Sequence, residues 1–172
     1  PKTSSAASDV YKRQVLVRLS DFKSNEYREL LGGSIFEPVE ENPMIAWRGA
    51  SRYLDEKFLP AFEMEIEAMK SVKYDFGLDN LQLMVPFCRT PEEGAMVKEL
   101  LDDNGIGPST GTDLFVMVEL PSNVIEAERF IQMMELSGGS IGSNDLVQTV
   151  YAVSRDDFCL LYTSPSPRDS DQ

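Results

Sequence analysis

The chain has 172 residues, of which 42% are apolar and 26% are charged, a composition typical of a folded globular domain rather than a disordered chain. Its formal net charge of −13 disfavours binding to nucleic acids or to anionic membranes, because both require a basic surface. No apolar run approaches the roughly 20 residues of a membrane span, and there is no N-terminal apolar signal core, so we expect a cytoplasmic protein.

The two ends of the chain differ from its middle in composition. Residues 1–14 and 158–172 are polar and lack apolar periodicity. We interpret both as non-native or disordered flanks. The segment between them, residues 15–157, is long enough for one domain with its own core, and we expect it to be a fragment of a longer fold.

Strand-like and helix-like segments alternate through this domain. The predicted strands are residues 15–19, 81–87, 114–119 and 140–142. The predicted helices are residues 50–73, a helix capped by Thr90 that reaches about residue 101, a helix capped by Ser122 that reaches about residue 136, and one that begins at Leu146. A polar connection with two glycines and two prolines, residues 24–45, separates the first strand from the first helix and indicates a functional loop.

This alternation predicts parallel strands joined by right-handed helical crossovers. A (β/α) barrel and an open doubly wound sheet are both compatible with it. Polar residues favour the barrel, because Arg18, Arg89, Glu119, Asn144 and Asp145 fall at or just after the carboxyl ends of strands, where barrel enzymes place their catalytic groups. The predicted fold class is therefore α/β, a partial (β/α)8 TIM-type barrel of about four βα units.

Glu119 and Asp145 are the candidate metal ligands. Each carboxylate follows an apolar run, and burial of an unpaired charge is costly. Two such carboxylates at neighbouring strand ends suit Mg²⁺, which prefers oxygen ligands and leaves positions for substrate. The alternative is that Glu119 is an exposed strand-end residue and that Asp145 only caps the following helix. The small-residue turn Gly142–Ser143–Asn144 favours the site, since a helix N-terminus offers N–H groups to an anion.

Arginines are the second candidate group. Arg18 lies within an apolar strand, and Arg48 precedes a helix; both could hold phosphate or carboxylate oxygens. For each arginine the alternative is a structural ion pair. Arg89 and Arg155 are weaker candidates of the same kind, and Arg52 is expected at the surface or in support of Arg48.

Cysteine and histidine add further limits. Cys88 and Cys159 form no disulfide framework or metal motif, which fits a reducing compartment. Cys88 is interpreted as a packing residue. The chain contains no histidine, so chemistry that needs imidazole must take it from elsewhere.

Five sequence segments together resemble the phosphoenolpyruvate synthase (pyruvate, water dikinase) family, in its C-terminal phosphoenolpyruvate-utilising barrel. They are RLSDFKSNEY (18–27), ENPMIAWRGASRY (41–53), LMVPFCRT (83–90), VELPSN (118–123) and SIGSNDLVQ (140–148). The resemblance covers about residues 15–157. It implies conversion of ATP, pyruvate and water to AMP, phosphoenolpyruvate and phosphate, with a phosphohistidine on a separate domain as the carrier from an ATP-grasp domain.

The resemblance also implies roles for individual residues. Arg18 and Arg48 would hold the phosphoryl group, and Arg155 would contact it during transfer. Glu119 and Asp145 would bind Mg²⁺, which chelates pyruvate. Gly142, Ser143 and Asn144 would line the substrate, with Asn144 among the catalytic residues.

Departures from the family pattern limit what the chain can do alone. The downstream general acid cysteine, an upstream arginine, and the ATP-grasp and phosphohistidine domains have no counterpart here, so we expect this segment alone to be inactive. We expect the full-length protein to be a homodimer. A Mg²⁺-dependent carbon–carbon lyase of the same barrel superfamily, and a half-barrel that binds phosphoenolpyruvate or a partner domain without turnover, remain alternatives.

Overall fold

A computed structural model of the chain describes residues 14–154, and every structural statement below concerns this part. The predicted flanks, apart from residue 14, lie outside the described residues, as do Arg155 and Cys159. The strands are β1 (Val15–Arg18), β2 (Leu81–Val85), β3 (Leu114–Val118) and β4 (Gly138–Ile141). The α-helices are α1 (Ser24–Glu29), α2 (Gly33–Phe36), α3 (Ala50–Tyr53), α4 (Leu59–Lys70), α5 (Pro91–Asp103), α6 (Pro121–Ile125), α7 (Ala127–Met134) and α8 (Ser143–Tyr151).

Four parallel strands form one sheet in the order β1-β2-β3-β4. A doubly wound sheet reverses its strand order part-way, whereas a barrel adds each new strand on the same side. The sequential order therefore confirms the predicted partial (β/α) barrel. All four strands point the same way, so the segments that follow them meet at a single edge of the sheet.

The core lies between the two central strands and the helices that cover one face of the sheet. All five residues of β2 are buried, whereas β1 and β4, at the two edges, are largely exposed. Apolar side chains of the central strands pack against α5 and α7 through Val97, Leu101, Phe130 and Met134. Each such fully buried side chain stabilises the fold by about 1.5–3 kcal/mol. These contacts fix the central strands, and with them the position of the loops at the carboxyl edge.

Several helix boundaries differ from the predicted ones. The polar connection 24–45 contains α1 and α2, and the helix expected over residues 50–73 is divided into α3 and α4, with a π-helical turn at Ser71–Asp75. Helix α8 begins at Ser143, three residues before the predicted start. This earlier start places Asp145 in the first helical turn.

The two predicted N-caps have different outcomes. The Thr90 hydroxyl accepts a hydrogen bond from the Glu93 N–H at 3.1 Å, as predicted. The prediction for Ser122 is wrong, because α6 begins one residue before it. The Asn123 side chain instead accepts from the N–H groups of Glu119 and Leu120, at 3.2 and 2.9 Å. Its amide also donates to the Cys88 carbonyl at 2.8 Å, which ties the loop after β2 to the loop after β3.

None of the described helices combines the length and the apolar character needed to cross a membrane.

Candidate functional site

Three carboxylates converge at the carboxyl edge of the sheet. Asp21 follows β1, Glu119 is the first residue after β3, and Asp145 lies in the first turn of α8, just after β4. One carboxylate oxygen from each lies within 4.8 Å of the others. Glu119 is 2% exposed and Asp145 is 7% exposed. The alternatives of an exposed Glu119 and of a mere helix cap at Asp145 do not fit this arrangement.

Arg48 lies against this carboxylate group. Its Nε and Nη2 atoms donate to the two oxygens of Asp21 at 3.0 and 2.5 Å, and Nη2 also donates to Asp145 at 3.1 Å. The guanidinium stacks on the ring of Phe87, 3.9 Å from its centroid. Burial alone would lower the pKa of Arg48, but the hydrogen bonds and charges of Asp21 and Asp145 outweigh it and raise the pKa.

The combined negative charge of the three carboxylates exceeds the positive charge of Arg48. Burial, together with the charges of Asp21 and Asp145, raises the pKa of Glu119 to about 7, against the opposing effects of the Phe87 N–H and Arg48. A cation held by Glu119 and Asp145 would relieve this repulsion. The ligand atoms are all carboxylate oxygens, so the residues fit a hard cation such as Mg²⁺ better than zinc.

A turn after β2 fixes the side chain of Glu119. Phe87 has a left-handed backbone, with φ of 43°, and its N–H donates to Oε1 of Glu119 at 2.6 Å. A bulky residue in this conformation is strained, and such strain is concentrated at functional sites. Gly49 packs against the turn, since a Cβ there would lie 2.6 Å from the Cβ of Phe87. The residue after Arg48 must therefore be glycine.

Comparison with known proteins shows the family of the chain. A profile of the family described as PEP-utilising enzyme, PEP-binding domain, where PEP is phosphoenolpyruvate, matches residues 2–168. The chain belongs to this family. It is 50% identical over 151 residues to the phosphoenolpyruvate synthases of Aquifex aeolicus and of Synechocystis sp., and 46% identical over 147 residues to that of Escherichia coli.

The matched segment is a small part of these relatives. It covers 87% of this chain but only 17% of the Aquifex aeolicus protein and 18% of the Synechocystis protein. The Escherichia coli match covers 85% of this chain and 18% of that protein. The chain thus spans less than a fifth of the length of the curated relatives it matches.

In this PEP-binding domain the structure brings together four of the residues singled out from the sequence: Arg18, Arg48, Glu119 and Asp145. The side chain of Arg18 is half exposed, and its Nη1 lies 3.4 Å from Oδ2 of Asp21. Arg18 and Arg48 therefore meet on the same carboxylate.

The turn before α8 lies beside Glu119. A Cβ on Gly142 would lie 2.7 Å from Oε2 and 2.9 Å from Cβ of Glu119, so this glycine allows a close approach of the two loops. Ser143 and Asn144 are exposed at the beginning of α8. They border the carboxylate group rather than forming part of it.

The other arginines of the PEP-binding domain have structural surroundings. Arg89 donates to the carbonyl oxygens of Ile45, Ala46 and Arg48, which holds the segment that carries Arg48. Burial lowers the pKa of Arg89, and repulsion from Arg48 contributes to this effect. The expectation of a surface position for Arg52 is wrong: it is 1% exposed and pairs with both oxygens of Glu37 at 2.6 and 2.9 Å.

Sequence reasoning missed Asp21. The pattern that identified Glu119 and Asp145, a carboxylate shortly after a strand, also applies to Asp21. After the first strand only Arg18 was selected as a candidate. Cys88, as expected, is a packing residue. It is fully buried, and burial raises the pKa of its thiol.

Proposed function

We propose that this chain forms the pyruvate- and phosphoenolpyruvate-binding part of a phosphoenolpyruvate synthase. The observation that carries the proposal is the group of three carboxylates, all nearly inaccessible to solvent, with Arg18 and Arg48 on the same carboxylate at the edge of the sheet. Carboxylates suit a hard cation, and guanidinium groups suit phosphoryl oxygens. A keto acid substrate that accepts a phosphoryl group needs both the cation and the guanidinium groups.

Glu119 and Asp145 would hold Mg²⁺. When bound, the ion would supply Lewis-acid polarisation of the keto acid oxygens. The Phe87 N–H keeps the Glu119 carboxylate in place at 2.6 Å. Gly142, Ser143 and Asn144 would line the substrate, with N–H groups of α8 and the Asn144 amide available to its carboxylate.

Arg18 and Arg48 would neutralise the phosphoryl group as it is transferred, and Arg155 would contribute from outside the described residues. In the proposed step, a nitrogen–phosphorus bond of a phosphohistidine breaks, an oxygen–phosphorus bond forms at the pyruvate keto oxygen, and the pyruvate methyl group loses a proton. The histidine must come from another domain, because this chain has none. The group that takes the proton is likewise outside it, so we expect no turnover by this chain alone.

The two arginines favour phosphoryl transfer over the carbon–carbon lyase alternative. A lyase needs the cation and the keto acid site but has no phosphoryl group to neutralise. The ATP-grasp and phosphohistidine domains, the homodimer and a cytoplasmic location remain predictions for the full-length protein.

Calorimetry with the 172-residue chain tests the metal assignment. We expect Mg²⁺ to bind, and oxalate, a mimic of the pyruvate enolate, to bind only when Mg²⁺ is present. Glu119→Gln should weaken Mg²⁺ binding by about 100-fold, because a charged ligand is lost while the hydrogen bond from Phe87 can be kept.

The matched control is Asp103→Asn, which removes one exposed negative charge at the far end of α5. It should leave Mg²⁺ affinity within about twofold of wild type. Equal affinities for wild type and Glu119→Gln would refute the metal assignment, and oxalate binding without Mg²⁺ would refute the role of the cation in binding the substrate.

A further inference from the structure

Each N–H group of Arg48 already has an acceptor within the described part of the chain. A guanidinium carries five N–H donors. Nε and Nη2 contact Asp21, Nη2 also contacts Asp145, and Nη1 contacts the carbonyl oxygen and the sulfur of Met44 at 3.2 and 3.8 Å. If Arg48 is to bind a phosphoryl group, one of these acceptors must be exchanged for a phosphoryl oxygen.

Asp145 is the contact that Arg48 can exchange. Arg48 gives Asp145 one hydrogen bond, at 3.1 Å, and a cation held by the Asp145 carboxylate would compete for the same oxygens. Asp21 instead accepts two parallel hydrogen bonds from the Nε–Nη2 edge, the fork geometry in which arginine–carboxylate pairs are strongest. The Asp21 side chain is 1% exposed, so water does not weaken this pair.

The loop that carries Asp21 is held firmly. The Leu19 N–H donates to the Met84 carbonyl at 2.9 Å, and the Ser20 N–H donates to Glu65 at 2.9 Å. The Tyr53 hydroxyl donates to the Ser20 carbonyl at 2.5 Å. Asp21 is therefore a fixed point, and it is also the carboxylate that Arg18 reaches.

We propose that Asp21 is a positioning residue for the phosphoryl-binding arginines. It keeps the Nε–Nη2 edge of Arg48 in place while the second N–H of Nη2 passes from Asp145 to a phosphoryl oxygen, and it holds Arg18 beside it. This inference rests on the proposed function, because it assigns the orientation of the arginines within that site. In this proposal Asp21 acts through the arginines and is not assigned a contact to the metal or to the substrate.

The test compares two probes in the Mg²⁺-loaded 172-residue chain by calorimetry. Phosphoenolpyruvate carries a phosphoryl group and oxalate does not, so the ratio of their affinities reports on the arginines. Asp21→Asn should lower the phosphoenolpyruvate-to-oxalate affinity ratio by about tenfold, because the charged half of the fork is lost. A purely structural role would lower both affinities together and leave the ratio unchanged, which would overturn the inference.

Glu37→Gln is the matched control, since it weakens the equivalent fork on Arg52 away from the carboxylates. It should lower stability without changing the ratio. A wild-type chain that binds neither Mg²⁺ nor oxalate would instead refute the proposed function, and the inference with it.

A measurement on the wild-type chain covers the case in which Asp21→Asn does not fold. The Nε–H resonance of Arg48, assigned by its loss in Arg48→Lys, should stay protected from hydrogen exchange when Mg²⁺ and phosphoenolpyruvate are added. Loss of that protection on binding would show that the ligand displaces Asp21, and would overturn the inference.

Discussion

Two buried arginines only four residues apart differ in the balance of charge around them. Arg52 is paired with the single carboxylate of Glu37 and lies over the rings of Trp47, Tyr27 and Phe58, at 3.9, 4.5 and 5.0 Å from their centroids. Arg48 faces a group of three carboxylates. The two side chains are almost equally inaccessible, so burial does not distinguish them. The balance of charge does: the Arg52 pair is neutral and complete, whereas the Arg48 group has an excess of negative charge that a cation can satisfy.

The largest expected effect tests the Arg52 side of this comparison. Glu37→Ala should destabilise the chain by about 3–5 kcal/mol, because it leaves a buried guanidinium without its counter-charge. The free energy of unfolding in urea measures the change. As a control, Glu67→Ala removes the exposed partner of Lys70, and it should cost about 1 kcal/mol or less. Similar losses for the two variants would show that the Arg52 pair is not a complete structural unit.

The next prediction concerns the pH dependence of stability and tests the carboxylate group around Arg48. The folded-state pKa of Glu119 is about 7, above its ordinary value of 4.5. The folded form therefore binds this proton more tightly than the unfolded form does, so stability from Glu119 is fully present below about pH 4.5 and is lost as the pH rises through 7. We expect the loss to be about 3 kcal/mol by pH 8.

Unfolding of wild type and Glu119→Gln at pH 5 and pH 8 isolates this contribution. The variant should gain stability over wild type towards pH 8, and Mg²⁺ should stabilise wild type more at pH 8 than at pH 5. Parallel pH dependences for the two proteins would contradict the excess of negative charge around Glu119.

A smaller effect tests how closely the loops of the site fit together. Gly142→Ala should displace Glu119 and weaken Mg²⁺ binding by about tenfold, because the added Cβ would clash with both Oε2 and Cβ of Glu119. Ser140→Ala, at an exposed position of β4, is the control. Wild-type affinity in the glycine variant would show that the approach of Gly142 does not constrain Glu119.

Strands β1, β2 and β3 could be predicted from the sequence because each is mainly apolar, whereas β4 consists of two glycines, a serine and an isoleucine. The predicted bounds of all four differ from the observed ones by no more than two residues. The strand-end rule also placed Glu119 and Asp145 correctly at one edge. Helices α1 and α2 could not be predicted in the same way. They are only six and four residues long, too short to show an apolar period, and contacts outside each helix hold them, such as the hydrogen bond from Arg28 to the Glu37 carbonyl at 2.9 Å.

The roles of the arginines were also beyond the sequence. Arg48 and Arg52 lie only four residues apart in the chain, and only the fold shows which carboxylates each one meets. Asp21 was missed for a related reason: in the sequence it is one polar residue among several after β1, and it becomes distinctive only when β2 and β3 bring Glu119 near it.

The carboxylates come from three separate crossovers, and the contact between Arg48 and Asp145 joins residues 97 positions apart in the chain. Such a site cannot exist in a partly assembled sheet, because each ligand depends on a different strand having found its neighbour. A cation that binds there acts on the folding equilibrium by mass action, since the unfolded chain offers it no comparable site. Added Mg²⁺ should therefore slow the unfolding of the half-barrel more than it speeds its folding.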